Sequence, residues 1–236
     1  MTTTRAWCWL YWRHPDPAID LLHRRLLVAS VQTWRYWHPY ENGAVVDPFR
    51  ELPMQEIADI ARAACGVNSL PLYDGILYDG PSPWYRTPLN KLVLAAHEPA
   101  DEIVMPDLDV LFFGACDSVW HESRAADFVG ITYLRGHRGR PCQGLLLSRS
   151  ARAARLALSD TFNPGTFHNA EAALGNARDL GLLTYQGMPE RYAVRAGDWR
   201  GDDLPLGIHF HGSWMARALS DPSIARYLEN IRASTG

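Results

Sequence analysis

Pro99-Ala100-Asp101-Glu102-Ile103-Val104-Met105-Pro106-Asp107-Leu108-Asp109-Val110-Leu111-Phe112-Phe113-Gly114 sets two carboxylates, one residue apart, between two apolar runs. The first run, Glu102 to Met105, reads as a buried strand that delivers Asp107 and Asp109 at its carboxyl end. An unpaired carboxylate taken out of water costs several kcal/mol, roughly, so a positive partner is implied. A hard divalent ion prefers oxygen ligands and commonly meets them alongside phosphate oxygens. A solvated turn capping a following helix is the bland alternative, and the apolar residues on both sides fit it poorly.

The surrounding chain alternates strands with helices. Arg5 to Trp12 reads as a first strand, ending at Pro15 and Pro17, and Ala18 to Trp37 as a helix with apolar periodicity through Ile19, Leu22, Leu26, Leu27 and Val31. Asp16 is available as its N-cap. Ala44 to Val46 is a short strand, Pro53 to Cys65 a helix closed by Gly66, Leu70 to Tyr78 a third strand, and Pro88 to His97 a helix. Beyond the acidic pair, Phe128 to Tyr133 and Gln143 to Ser148 read as strands around a basic loop, Arg135-Gly136-His137-Arg138-Gly139-Arg140. Helices over Ala151 to Leu158 and Ala170 to Leu180, a strand over Leu206 to Phe210, and a closing helix from Ile224 to Ile231 complete the pattern. It predicts an α/β protein with a mixed, mostly parallel central sheet flanked by helices, in which ligands gather at the carboxyl ends of strands.

At 236 residues the chain suits one domain, and 47% hydrophobic with 21% charged residues describe an ordinary globule. A net charge of −3 gives no global electrostatic case for nucleic acid. Cys8, Cys65, Cys116 and Cys142 lack CxxC spacing, which favours reduced thiols over disulfides or a zinc site. The start has no signal-peptide core, and no apolar run approaches the roughly 20 residues needed to span a bilayer. A cytoplasmic protein is expected. Among 23 basic residues Lys91 is the single lysine. Trp7 and Trp9 alternate with Cys8 and Leu10 and read as strand core, Trp34 and Trp37 as helix-face packing. Trp84, Tyr85 and Trp214 sit beside site segments, where rings can stack on a base or sugar.

The run from Pro99 to Gly114 resembles the Asp-x-Asp segment of nucleotide-sugar-dependent glycosyltransferases with the GT-A fold, glycogenin-like members in particular. Lys91 stands at the spacing before Asp107 of a lysine that helps hold the donor diphosphate there. Gln143-Gly144-Leu145-Leu146-Leu147 resembles the polar-Gly-apolar strand lining the sugar and acceptor site. His209-Phe210-His211-Gly212 resembles the late His-x-x-Gly motif whose histidine is the third metal ligand. The resemblance runs in order from about Arg5 to Trp214. It departs at Ser213-Trp214-Met215, where the family has Lys-Pro-Trp, and at Ala170-Glu171-Ala172-Ala173-Leu174-Gly175, where the family aspartate is absent.

The resemblance implies a single GT-A-type domain: a nucleotide-sugar-binding half over 1–114, an acceptor half over 115–215 and a C-terminal helix over 216–236. It implies Mn2+ or Mg2+ held by Asp107, Asp109 and His209, with His211 open as the alternative ligand because alternation puts both imidazoles on one face. The donor would be a nucleoside-diphosphate sugar, a UDP-sugar by resemblance, contacted by Lys91, Arg86, Asp107, Gln143, Gly144 and Gly212. Asp109 and Glu171 are the candidate catalytic groups; Glu171 either activates the acceptor hydroxyl as general base, contacts the sugar, or merely complements the helix macrodipole. The Arg135 to Arg140 loop is either a solvated surface or a trap for an anionic acceptor or donor. The acceptor stays open among glycans, peptides, small molecules and a hydroxymethylated DNA base, with nucleic acid not favoured by charge. A non-catalytic nucleotide-sugar-binding domain is the alternative. A metal-dependent nucleotidyltransferase lacks its Gly-rich phosphate loop near the first strand.

Overall fold

The computed structural model describes residues 3–47, 53, 55–56, 59–60, 68–69, 90–96, 100–132, 141–161, 170–197 and 205–235. Strand β1 (Arg5–Leu10) lies inside the main sheet, paired on both sides. Its alternation sends Trp7 and Trp9 into one apolar layer and Cys8 and Leu10 into the other, so both faces of the sheet are covered. Helix α1 (Pro17–Trp37) starts as the sequence predicts, with the Asp16 carboxylate accepting the Ala18 and Ile19 amides at 2.8 and 3.4 Å. It lays Leu26, Leu27, Val31 and Trp34 on the tryptophan face.

Strands β2 (Gly43–Val46), β3 (Asn68–Ser69), β4 (Glu102–Pro106), β6 (Phe128–Thr132), β7 (Pro141–Ser148) and β8 (Tyr185–Gly187) complete a seven-stranded sheet ordered β3-β2-β1-β4-β7-β6-β8. β7 alone runs against the others, as the mostly parallel expectation requires. Residues 90–96 are helical and, with helices Ala151–Thr161 and Ala170–Asp179, cover the face opposite α1.

The apolar run after the acidic pair does not continue the main sheet. β5 (Val110–Phe112) instead joins β10 (Gly207–His209) and β9 (Val194–Arg195) in a second, three-stranded sheet. β5 is clamped by distant groups: Thr33 Oγ1 accepts the Phe112 amide at 3.0 Å, and the Tyr227 hydroxyl donates to the Phe112 carbonyl at 2.8 Å. The expected single closing helix is two, Trp214–Ser220 and Pro222–Thr235, broken where Asp221 caps the second by accepting the Ser223 amide. β8 and β9 were not apparent in the sequence, being three and two residues long. Cys8 and Cys116 are buried and not disulfide-bonded. Among the described residues no helix is long and apolar enough to cross a membrane.

Candidate active site

β4 ends on Pro106, and the chain turns at once: the Val110 amide donates to the Asp107 carbonyl at 3.2 Å. Leu108 points into the core while the flanking carboxylates turn to the sheet's C-terminal edge. The Asp107 amide donates to the Gly144 carbonyl at 3.0 Å, extending the β4–β7 ladder one step past Pro106 and Leu145. The Phe210 amide donates to the Asp109 carbonyl at 2.9 Å, extending the β5–β10 ladder past Val110 and His209. The acidic pair is thus held between two sheets, with His209 delivered to it by β10.

Asp109 and His209 are buried, at 5% and 3% exposure. His209 Nε2 lies 3.2 Å from Asp109 Oδ1 and 3.5 Å from Asp107 Oδ2. That nitrogen is buried yet makes no hydrogen bond of acceptable geometry, despite the two carboxylates beside it. Lys91 is buried against the other side of Asp107, with Nζ 2.5 Å from Oδ1 and donating to the Met105 carbonyl at 3.2 Å. Burial works to lower the His209 pKa, but the Asp109 and Asp107 carboxylates outweigh it and raise it above the ordinary histidine value. Burial works to raise Asp109, and His209, with His211 adding, holds it below the usual carboxylate range.

His211 is exposed, its ring 5.4 Å from that of His209. One ligand atom each from Asp109, His209 and His211 lie within 4.8 Å of one another. Two ligands about 2.1 Å from a common ion stand roughly 3.0 to 3.4 Å apart in octahedral or tetrahedral geometry. The 3.2 and 3.5 Å separations around His209 Nε2 match that spacing. An imidazole nitrogen facing two carboxylates at ligand spacing, close to both yet aligned for a hydrogen bond with neither, fits a divalent ion.

Gly144 abuts the histidine itself: a Cβ there would stand 2.7 Å from His209 Nδ1. Gly212 turns the chain with φ +62°, a conformation that favours glycine, before the Trp214–Ser220 helix. Glu171 occupies the first turn of helix Ala170–Asp179 and is not part of the ligand group. One turn on, Gly175 stands over Pro141 at the site end of β7, so the first turn lies at the same end of the sheet as the acidic pair. Arg86, Trp84, Tyr85, the Arg135 to Arg140 loop and the Gln143 side chain lie outside the described residues.

Two groups escaped the sequence reading. His14 and His23 are buried where β1 hands over to α1, rings 5.7 Å apart, with His14 Nδ1 accepting the Asp16 amide. Burial, with His14 beside it, lowers the His23 pKa against the pull of Asp109 and Asp20. Asn90, one residue before Lys91, is buried with neither amide atom hydrogen-bonded. The available signal was position: residues just past the carboxyl end of a parallel strand, and the residue beside the single lysine.

No protein-family model matches the chain, and no curated protein sequence matches it significantly. Solved structures do. The galactosyltransferase LgtC, in complex with donor and acceptor sugar analogues, superposes with a TM-score of 0.65 at 14% identity, over 98% of this chain and 95% of its own. The glycosyltransferase GlyE of Streptococcus pneumoniae TIGR4 gives 0.67 at 13% identity, over 99% of this chain but 64% of GlyE, so this chain spans about two thirds of that protein. A glycosyltransferase involved in glycosylation of the major capsid of PBCV-1 gives 0.57 at 9%, over 96% and 99%. The chain has the GT-A glycosyltransferase fold.

Proposed function

We propose that this protein transfers a sugar from a nucleoside-diphosphate sugar, a UDP-sugar by resemblance, to an acceptor hydroxyl, with a divalent ion (Mn2+ or Mg2+) at Asp107, Asp109 and His209. The observation that carries the reading is His209 Nε2, buried without a hydrogen bond between Asp107 Oδ2 and Asp109 Oδ1, at the strand edge where this fold gathers ligands. Structures with the same fold include LgtC, which was solved with donor and acceptor sugar analogues.

Bound there, the ion offsets the negative charge that develops on a departing nucleoside diphosphate. Lys91 holds Asp107 by Oδ1, leaving Oδ2 turned toward His209, and adds a compact positive charge to the phosphate side of the site. His209, fixed in β10, keeps Nε2 directed between the carboxylates. Arg86 adds charge for the diphosphate, while Gln143 and Gly212 line the donor. Glu171, at the same end of the sheet, is our candidate to take the acceptor proton or to orient the sugar.

The test is incubation with a panel of nucleotide sugars and Mn2+. Release of nucleoside diphosphate, slow without acceptor, supports the reading. Binding without turnover would instead indicate a non-catalytic domain, and pyrophosphate release a nucleotidyltransferase.

A further inference from the structure

We infer that His211 is a second imidazole ligand of the ion at Asp109 and His209, and that this makes the site selective for Mn2+ and later first-row ions over Mg2+. The inference rests on the metal-site reading above and names the ion class that site takes. Resemblance and strand alternation leave His209 and His211 as alternatives; the structure brings both to the same carboxylate, with ligand atoms of all three residues within 4.8 Å.

The two histidines differ in how they are held. His209 is locked by the β5–β10 ladder and by its contact with Gly144. His211 lies past the end of β10, exposed, beside the turn at Gly212. Two ligands about 2.1 Å from one ion stand about 4.2 Å apart when trans and roughly 3.0 to 3.4 Å apart otherwise, so a pair at the 4.8 Å limit of this group closes on a common ion by roughly 0.6 to 1.8 Å. The exposed His211 ring can supply that shift by side-chain rotation, because nothing buried moves with it. Its ring is tilted 56° from that of His209, so the pair is not stacked face to face.

The donor set determines the ion. Mg2+ favours oxygen ligands and sheds water reluctantly, so a site offering two imidazoles holds it poorly. Imidazole binds Mn2+, Co2+, Ni2+ and Zn2+ in rising order toward the later metals, Zn2+ excepted from the top. Asp109 and Asp107 keep the site accessible to Mn2+; the second imidazole tilts it away from Mg2+.

The purified full chain is titrated with Mn2+, Co2+ or Mg2+ against a chromophoric chelator, without and with UDP, so that an ion needing diphosphate oxygens is also seen. Co2+ and Mn2+ are expected to bind about 100-fold more tightly than Mg2+. His211→Leu is expected to lower Co2+ affinity about tenfold or more and to leave Mg2+ affinity within about twofold, with the circular dichroism spectrum unchanged. If His211→Leu binds Co2+ like the parent while Asp109→Asn loses it, the inference is overturned and the metal site stands. If Asp109→Asn also binds Co2+ like the parent, both fall.

Discussion

A Cβ on residue 144 would stand 2.7 Å from Nδ1 of His209, so the glycine in β7 is the floor on which the candidate metal ligand rests. Gly144 was expected to line the sugar site. In the fold it also lets an imidazole from a second sheet approach the main one closely.

Gly144→Ala should therefore act through His209. The methyl group forces either the ring or the β7 backbone to move, at a cost of about 1–3 kcal/mol. Thermal unfolding should show that loss, and Mn2+ titration should show weaker binding. A variant that binds Mn2+ normally would show that His209 tolerates the displacement.

Asp109→Asn should leave the fold intact and reduce metal-dependent turnover by about 100-fold or more. It should also return His209 to the control of burial, which lowers its pKa. An NMR titration of the metal-free protein should show the His209 ring protonating at lower pH than in the parent. An unchanged His209 titration would mean that Asp109 is not the carboxylate holding its proton.

Lys91→Met removes the cation from Asp107 Oδ1. The metal-free protein should lose about 2 kcal/mol of stability, since a partly buried carboxylate is left with less compensation. Mn2+ supplies positive charge at the same carboxylate and should restore part of that loss. Differential scanning fluorimetry with and without Mn2+ checks this, and equal losses in both states would count against Asp107 as a ligand.

His38 gives a pH dependence away from the site. Its Nε2 accepts the Cys116 amide at 2.8 Å, so Nδ1 carries the proton toward the Trp34 carbonyl 3.0 Å away. Burial lowers its pKa, with the Trp34 carbonyl and Asp117 opposing. The unfolded chain takes up this proton near pH 6.5 and the folded chain only below that, so the folded state loses stability as pH falls beneath about 6.5. The raised His209 works oppositely, contributing stability at low pH that disappears as pH rises through its folded value. Denaturant unfolding from pH 5.5 to 7.5 should show a weaker acid loss in His38→Gln than in the parent.

Much of the fold was legible because its signals are local. Asp16 caps α1 through amides two and three residues away. Trp7 and Trp9 face one core layer and Cys8 and Leu10 the other because a strand has period two. The departure of β5 was not legible, since Val110 to Phe112 is as apolar as a continuing main-sheet strand and its choice of partner depends on residues 207–209. Nor was the break at Asp221, where one turn of capping splits what reads as one C-terminal helix.

By itself the sequence determined that two carboxylates lie at the end of a buried strand in an α/β chain, and that one lysine and two histidines of the right chemistry exist to meet them. Periodicity and burial cost are properties of neighbours along the chain. Only the tertiary structure decided that Lys91 takes one oxygen of Asp107, that His209 Nε2 is left unbonded between Asp107 and Asp109, and that His211 reaches the same cluster. Those relations depend on β5 leaving one sheet for another and on Gly144 having no side chain, and both are contacts between residues far apart in sequence.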